Sequence, residues 1–405
     1  MAEFKYRALD NKGSSRVGVL DADSEGAAIS RLREQGWVPL DINATKKTGL
    51  SMDLKIPGLS DRINLKDVAV SSRQLSTMID AGLPLMRAIS VLTEQTENKA
   101  LAKIWDAVRA DIQAGSSFSA ALSKHPKAFQ PLYVAVVRAG EAGGALDTVL
   151  IRLADTLEKQ VTLRNKIRSA MTYPVMVGFM VFLLTSAILL FIVPTFKAIY
   201  SDLGGTLPAP TRALLFISAI MRKFFPIVLL LMGFGVWLLR RYIKTPRGRR
   251  QFDQMKLKVP VFGELFRKVA MSRFSRTLGT LMRSGVPVLQ ALEITKETVG
   301  NRIVEEAIED VESAVRQGES LARPLLRHKV VPSMVTQMLA VGEETGAVDN
   351  MLEKVADFYD AEVDATVDAL ASLIEPILIV IMGAVVGGIL ISLYLPMFKV
   401  IDLIK

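Results

Sequence analysis

The chain has 405 residues, half of them apolar, and 50 basic against 41 acidic residues give it a net charge of +9. It contains no cysteine, which excludes disulfides, thiolate metal sites and cysteine nucleophiles. The basic residues cluster beside the apolar runs, at 159–168 and 240–250, in the positive-inside pattern of membrane proteins. The excess charge therefore favours anionic lipid over nucleic acid as a partner.

Residues 1–45 are predicted to form a small α/β module. Residues 4–9 alternate like a strand, residues 15–20 can return as a second strand, and Ser24 is placed to cap a helix. This end has no apolar signal-peptide core, so we expect it to stay in the cytoplasm. Two interpretations stay open for the module, a structural cap and a partner-docking domain. Residues 46–66 have the Lys, Gly and Pro content of a linker.

A first helical bundle is predicted over residues 67–170, where apolar residues recur at helical spacing. A transmembrane helix follows over residues 171–195, because 19 uncharged residues lie between Pro174 and Pro194. At about 1.5 Å per residue, a helix of this length reaches about 28 Å, close to the thickness of a bilayer's hydrocarbon core.

The second half of the chain repeats the first, at an offset of 203 that becomes 202 after one residue is lost in a loop. The paired bundle positions are Gly82 and Gly285, Pro84 and Pro287, Gly115 and Gly318, Gly140 and Gly342, Glu141 and Glu343, and Gly144 and Gly346. The paired positions of the apolar segments are Tyr173 and Glu375, Pro174 and Pro376, Pro194 and Pro396, and Phe196 and Phe398. A tandem duplication therefore predicts a second bundle over residues 242–371 and a transmembrane helix over residues 372–396.

One more crossing is required to place the second copy on the same side of the membrane as the first. The apolar run 224–239, bounded by basic pairs, supplies it as a transmembrane helix over residues 217–241. Residues 196–216 are then an external loop, and residues 397–405 are a short external tail. The expected fold is a mainly α-helical polytopic membrane protein with three transmembrane helices, two tandem cytoplasmic bundles and the small N-terminal α/β module.

The sequence lacks the common motifs of catalytic and cofactor sites. No glycine is followed by lysine, which excludes a Walker A loop, and no HExxH, GxSxG or EF-hand motif is present. Glu141 and the pair Glu343–Glu344 precede the long helices, where a carboxylate is expected to stabilise the helix N-terminus. Cation binding or a partner contact stays open as an alternative. We therefore predict no enzymatic activity, no cofactor and no metal.

Taken together, these motifs resemble the inner-membrane platform proteins of type IV pilus assembly and type II secretion, the PilC/GspF family. The resemblance covers essentially the whole chain. It rests on the paired GLP and GVP turns, the GEAGGALD and GEETGAVD motifs, the YP…VPTF and EP…LPMF segments, and residues 202–212.

The resemblance implies a non-enzymatic scaffold in the plasma membrane of a prokaryote, with the N-terminus and both bundles in the cytoplasm. The implied partners are a hexameric pilus or secretion ATPase, pilin or pseudopilin subunits, other inner-membrane assembly proteins and further copies of the chain.

Among the functions of this family, we expect the chain to couple an assembly ATPase to the insertion of pilin subunits into a growing type IV pilus. A type II secretion pseudopilus and a DNA-uptake filament stay open. A transporter is disfavoured, because each repeat contributes one span with no charge in its middle. A membrane anchor or receptor for a cytosolic protein also fits the sequence, and deletion would separate it from a platform by its effect on filament assembly.

Overall fold

The computed structural model describes the residue ranges 2–9, 15–22, 25–34, 36–44, 62–195 and 208–403. The chain divides into two compact units, Met1–Arg62 and Ile63–Lys405. Among the described residues, the first unit contains a β-sheet with one helix and the second unit consists of helices.

The first unit is a three-stranded antiparallel sheet with one helix. Its elements are β1 (Ala2–Leu9), β2 (Ser15–Ala22), α1 (Glu25–Glu34) and β3 (Val38–Ala44). β1 lies in the centre and pairs with both neighbours. α1 buries Ala28 and Leu32, which are four residues apart and therefore lie on one helix face.

The second unit contains two successive helical sets with the same order of elements. The first set is α2 (Leu65–Asp80), α3 (Leu85–Gln95), α4 (Lys99–Gln113), α5 (Phe118–Ser123), α6 (Pro131–Gly143) and α7 (Leu146–Ala187), continued by a π-helical turn at Ile188–Ile192. Two helices, α8 (Ala209–Ile243) and α9 (Pro246–Lys258), connect the sets. The second set is α10 (Phe262–Arg283), α11 (Val288–Val299), α12 (Arg302–Arg316), α13 (Ala322–Leu325), α14 (Ser333–Thr345) and α15 (Val348–Leu403).

Equivalent glycines end equivalent helices in the two sets. The repeat-motif glycines with a left-handed backbone are Gly82, Gly115 and Gly144 in the first set, and Gly285, Gly318 and Gly346 in the second. Gly82 and Gly285 share a φ of +82°, a conformation that strains residues with a Cβ atom. Pro84 and Pro287 follow as the N-cap residues of α3 and α11, where the fixed φ of proline suits the turn.

The two helical sets share one hydrophobic core. A single cluster of buried side chains runs through both of them, and α10 contacts both α6 and α7. In the first set, the rings of Trp105 and Phe129 lie 5.0 Å apart, and those of Phe129 and Tyr133 lie 4.9 Å apart. Burial raises the pKa of Tyr133 to about 12, and its hydroxyl accepts a hydrogen bond of 3.2 Å from Ser72. The duplicated bundles therefore pack on each other within one chain.

Among the described residues, two helices are long and apolar enough to cross a membrane, Leu146–Thr195 and Val348–Leu395. Pro174 lies inside the first and Pro376 inside the second, and neither proline interrupts its helix. Bundle and apolar segment therefore form one continuous helix in each set. Large apolar side chains along these segments are exposed, as on a lipid-facing surface.

The close approach of α6 to α7 predicts a steric effect at Gly140. A Cβ atom there would overlap the side chain of Val149, whereas a Cβ atom at Gly143 would meet no atom within 4 Å. We expect Gly140→Ala to lower the free energy of unfolding by roughly 1–3 kcal/mol, as overpacking does. The matched Gly143→Ala variant should unfold like the wild type. Thermal unfolding in detergent checks this, and equal midpoints for the two variants would contradict it.

Candidate functional site

In each helical set, a glutamate ties one helix to the start of another. Glu141 lies in the last turns of α6, and its carboxylate accepts hydrogen bonds from the backbone nitrogens of Phe118 (2.5 Å) and Ser119 (2.9 Å), where α5 begins. Glu343 on α14 repeats the arrangement by accepting from the backbone nitrogens of Leu321 and Ala322, at the start of α13.

The prediction that these carboxylates stabilise the long helices α7 and α15 was wrong. Glu141 and Glu343 each lie within the helix before the long one, and side chains on a helix tilt towards its N-terminus. They therefore point away from the long helix and reach the short one. Their role at a helix N-terminus agrees with the prediction, while Glu344 lies exposed at the surface.

An arginine–carboxylate cluster joins the first helix of each set to the long helix. Arg73 on α2 forms two parallel hydrogen bonds of 2.7 Å with Glu158 and also contacts Asp155. Arg276 on α10 donates to Asp357 at 2.9 Å and also to Asp360. Charge-assisted hydrogen bonds of this kind are stronger than neutral ones and fix the geometry of the guanidinium group.

Sequence reasoning missed these two clusters, although the signal was present in the repeat. Arg276 follows Arg73 at the offset of 203, and Asp357 and Asp360 follow Asp155 and Glu158 at the offset of 202. The carboxylate positions therefore obey the same one-residue shift as the glycine motifs.

The second cluster also connects the two sets. Lys159 on α7 donates to Asp357 at 2.8 Å, so Asp357 bridges Lys159 and Arg276. The side chain of Arg276 is 8% exposed, against 34% for Arg73. Burial opposes the charge on Asp357, but the hydrogen bonds from Lys159 and Arg276 outweigh it and lower the pKa of this carboxyl.

Further polar contacts extend this interface along the long helices. Lys166 pairs with Asp364 at 3.1 Å, and Arg152 donates to the backbone oxygen of Arg283 at 2.8 Å. A cavity of about 570 Å³ lies between α7, α10 and α15. Its charged lining mixes both signs: Arg152, Lys159, Arg276, Arg283, Asp155, Glu158, Glu353, Asp357, Asp360 and Asp364. Charged side chains of both signs therefore line the interface between the two sets around this cavity, and we call this interface the seam.

The charged side chains of this seam form contacts between helices. In the part of the chain that the structure describes, no group of three or more His, Asp or Glu residues is arranged to hold a metal ion. The carboxylates of the two clusters are engaged by arginine and lysine. The geometry therefore serves to join helices.

The predicted residues of the apolar segments lie far along the long helices. Tyr173 lies within α7, and Glu375 within α15. Pro194 lies next to the last residue of the described range 62–195, and Pro396 and Phe398 lie inside α15. Phe196 falls outside the described residues.

Removal of the carboxylate charge should destabilise each glutamate-capped helix. We expect Glu343→Gln to lower the free energy of unfolding by roughly 1–3 kcal/mol, because two backbone N–H groups lose an ionised acceptor. Glu344→Gln, at the exposed neighbouring position, is the matched control and should have little effect. Chemical denaturation of the two variants checks this, and equal losses would show that the cap contributes nothing specific.

The Arg73–Glu158 contact should make stability depend on pH. The hydrogen bonds from Arg73 hold the pKa of Glu158 below its ordinary value of 4.5. The stabilisation is therefore present above pH 4.5 and is lost as the pH falls through the lowered pKa. We expect Glu158→Gln to reduce the loss of thermal stability on acidification below pH 4.5. Glu94→Gln, at an exposed position, is the matched control, and an equal change in both variants would contradict the prediction.

Known protein families match each of the two helical sets and the N-terminal unit of this chain. The family described as "Type II secretion system (T2SS), protein F" matches residues 71–194 and 274–396, one match in each helical set. The family "Type II secretion system protein F, N-terminal domain" matches residues 1–43.

Relatives that match most of the chain are named either as type IV pilus assembly proteins or as type II secretion proteins. The chain is 46% identical to the type IV pilus assembly protein PilC of Thermus thermophilus, over 99% of this chain and 98% of that protein. It is 44% identical to PilC of Myxococcus xanthus, over 100% and 96%. It is 32% identical to the type II secretion system protein F of Vibrio cholerae, over 89% of each chain. The chain therefore belongs to the type II secretion system protein F family, in which the PilC proteins of type IV pilus assembly are also found, and its two helical sets are the two copies of the family's repeated domain.

Proposed function

We propose that this protein is an inner-membrane platform of type IV pilus biogenesis, which couples a cytoplasmic assembly ATPase to the insertion of pilin subunits into the growing filament. The observation that carries the proposal is the similarity to PilC proteins, which extends over nearly the full length of both chains at 44–46% identity. The second candidate is a type II secretion platform, supported by relatives at 32–34% identity over 85–89% of this chain.

The proposed topology has three membrane crossings, with the N-terminus and both helical sets in the cytoplasm. The shared core supports it, because two sets that pack together lie on one side of the membrane. The chain must then cross the membrane once more between the two apolar segments, and α8 is the helix available for that crossing. It has 35 residues, about 52 Å at roughly 1.5 Å per residue, and Arg240 and Arg241 lie in its last turn.

In this proposal the long helices transmit displacement between the cytoplasm and the membrane. α7 and α15 each run without interruption from a bundle into an apolar segment. A movement that the ATPase imposes on a bundle would therefore reach the membrane along a continuous helix. The ion pairs Lys159–Asp357 and Lys166–Asp364 would keep the two long helices in register during that movement.

The proposed partners follow from this role. ATP hydrolysis would come from a hexameric partner enzyme, since the sequence carries no Walker A loop. Pilins and other inner-membrane assembly proteins would meet the chain within the bilayer, and further copies of the chain would complete a platform.

Deletion of the gene should abolish surface pili and leave the secretion of folded exoproteins unchanged. Pili are counted by electron microscopy and exoproteins are assayed in the culture medium, with a strain complemented by the wild-type gene as the control. Loss of exoproteins with intact pili would favour the second candidate. Retention of both would contradict both platforms, as would ATP hydrolysis by the purified chain alone.

A further inference from the structure

The connecting helix α8 packs against both apolar segments at the ends farthest from the bundles. Leu189 and Val193 of the first segment form a buried cluster with Ile389 and Leu393 of the second. Leu214 and Leu215 of α8 pack on this cluster. Three helices therefore meet at one apolar joint, where a backbone group without a hydrogen-bond partner would cost free energy.

In the first segment, Pro194 leaves one carbonyl oxygen without a backbone donor. In the π-helical turn, the N–H of Val193 donates to the oxygen of Ile188, five residues back. In that register, the donor to the oxygen of Leu189 would be residue 194, and a proline nitrogen carries no hydrogen. The Leu189 oxygen instead accepts a hydrogen bond of 2.5 Å from the hydroxyl of Ser218 on α8.

In the second segment, Pro396 likewise leaves one carbonyl oxygen without a backbone donor, and it is the repeat partner of Pro194 at the offset of 202. Pro396 lies inside α15, and in an α-helix its nitrogen would be the donor to the oxygen of Ser392. That oxygen accepts a hydrogen bond of 2.6 Å from the hydroxyl of Thr211 on α8. The two duplicated prolines thus remove a backbone donor from each segment.

Ser218 and Thr211 are suited to replace those donors. They are seven residues apart, about two helical turns, and therefore lie on one face of α8. Ser218 is 3% exposed and Thr211 is 1% exposed. A serine or threonine hydroxyl in a helix ordinarily bonds to a carbonyl in its own preceding turn, as Thr172 does with Arg168. Ser218, inside α8, instead reaches across to another helix, and Thr211, in the first turn of α8, does the same.

We propose that the two prolines create a matched pair of acceptor sites, and that α8 binds both segments through them. Ser218 and Thr211 are positioning residues, which hold α8 against the far ends of the two apolar segments. Only the membrane setting of this joint rests on the proposed function.

Two double-mutant cycles test the proposal on the full-length protein in lipid nanodiscs. Thermal unfolding is followed by tryptophan fluorescence, to which Trp237 on α8 contributes. We expect Thr211→Val to lower the unfolding midpoint by about 2 °C. In the Pro396→Ala background, which supplies the missing N–H, the same change should have no effect. Ser218→Ala should couple to Pro194→Ala in the same way.

The cross-combinations and a conservative variant provide the controls. Thr211→Val should keep its full effect in the Pro194→Ala background, and Thr211→Ser, which retains the hydroxyl, should unfold like the wild type. Thr172→Val removes a hydroxyl that bonds within its own helix, and it should not change the coupling measured in either cycle. Additive effects of Thr211→Val and Pro396→Ala would overturn the proposal. If Pro396→Ala does not fold, equal midpoints for Thr211→Val and the wild type would overturn it.

These readouts are independent of filament assembly. A strain that makes pili normally after deletion would refute the proposed function and leave the cycles interpretable. Conversely, additive cycles would refute the joint and leave the platform role intact.

Discussion

The shared hydrophobic core of the two helical sets is the constraint on which the rest of this structure depends. Because α10 packs on α6 and α7, the duplicated domains form a single body. The same packing brings α7 and α15 side by side, so that their continuations leave the bundles as neighbours.

The two sets carry equivalent residues at the contacts between their helices, but the interface between the sets buries one copy more than the other. Arg73 and Arg276 occupy equivalent positions, yet the second is largely buried because Lys159 and the long helix of the other set lie over its cluster. A buried guanidinium is costly unless it is paired, and Arg276 donates to both Asp357 and Asp360. One copy of the motif thus became an interdomain contact while the other remained at the surface.

Much of the architecture could be read from the repeat. The glycine and proline positions predicted the helix boundaries well, because a left-handed backbone and a fixed φ are local properties of those residues. The direction of Glu141 was predicted wrongly, because it depends on the fact that this residue lies inside α6. The clusters around Arg73 and Arg276 were missed, since a charged residue on an amphipathic helix looks like an ordinary solvated residue until its partner, about 80 residues away, is known.

The sequence by itself determined the family, the duplication and the helical segments, because these follow from local periodicity and from a repeat that needs no third dimension. Only the tertiary structure decided that the two sets share a core and that Arg276 is buried between them. It alone also placed the hydroxyls of Thr211 and Ser218 on the carbonyls that the prolines leave free. Each of these depends on which helix faces which, and long-range packing of that kind leaves no period in the sequence.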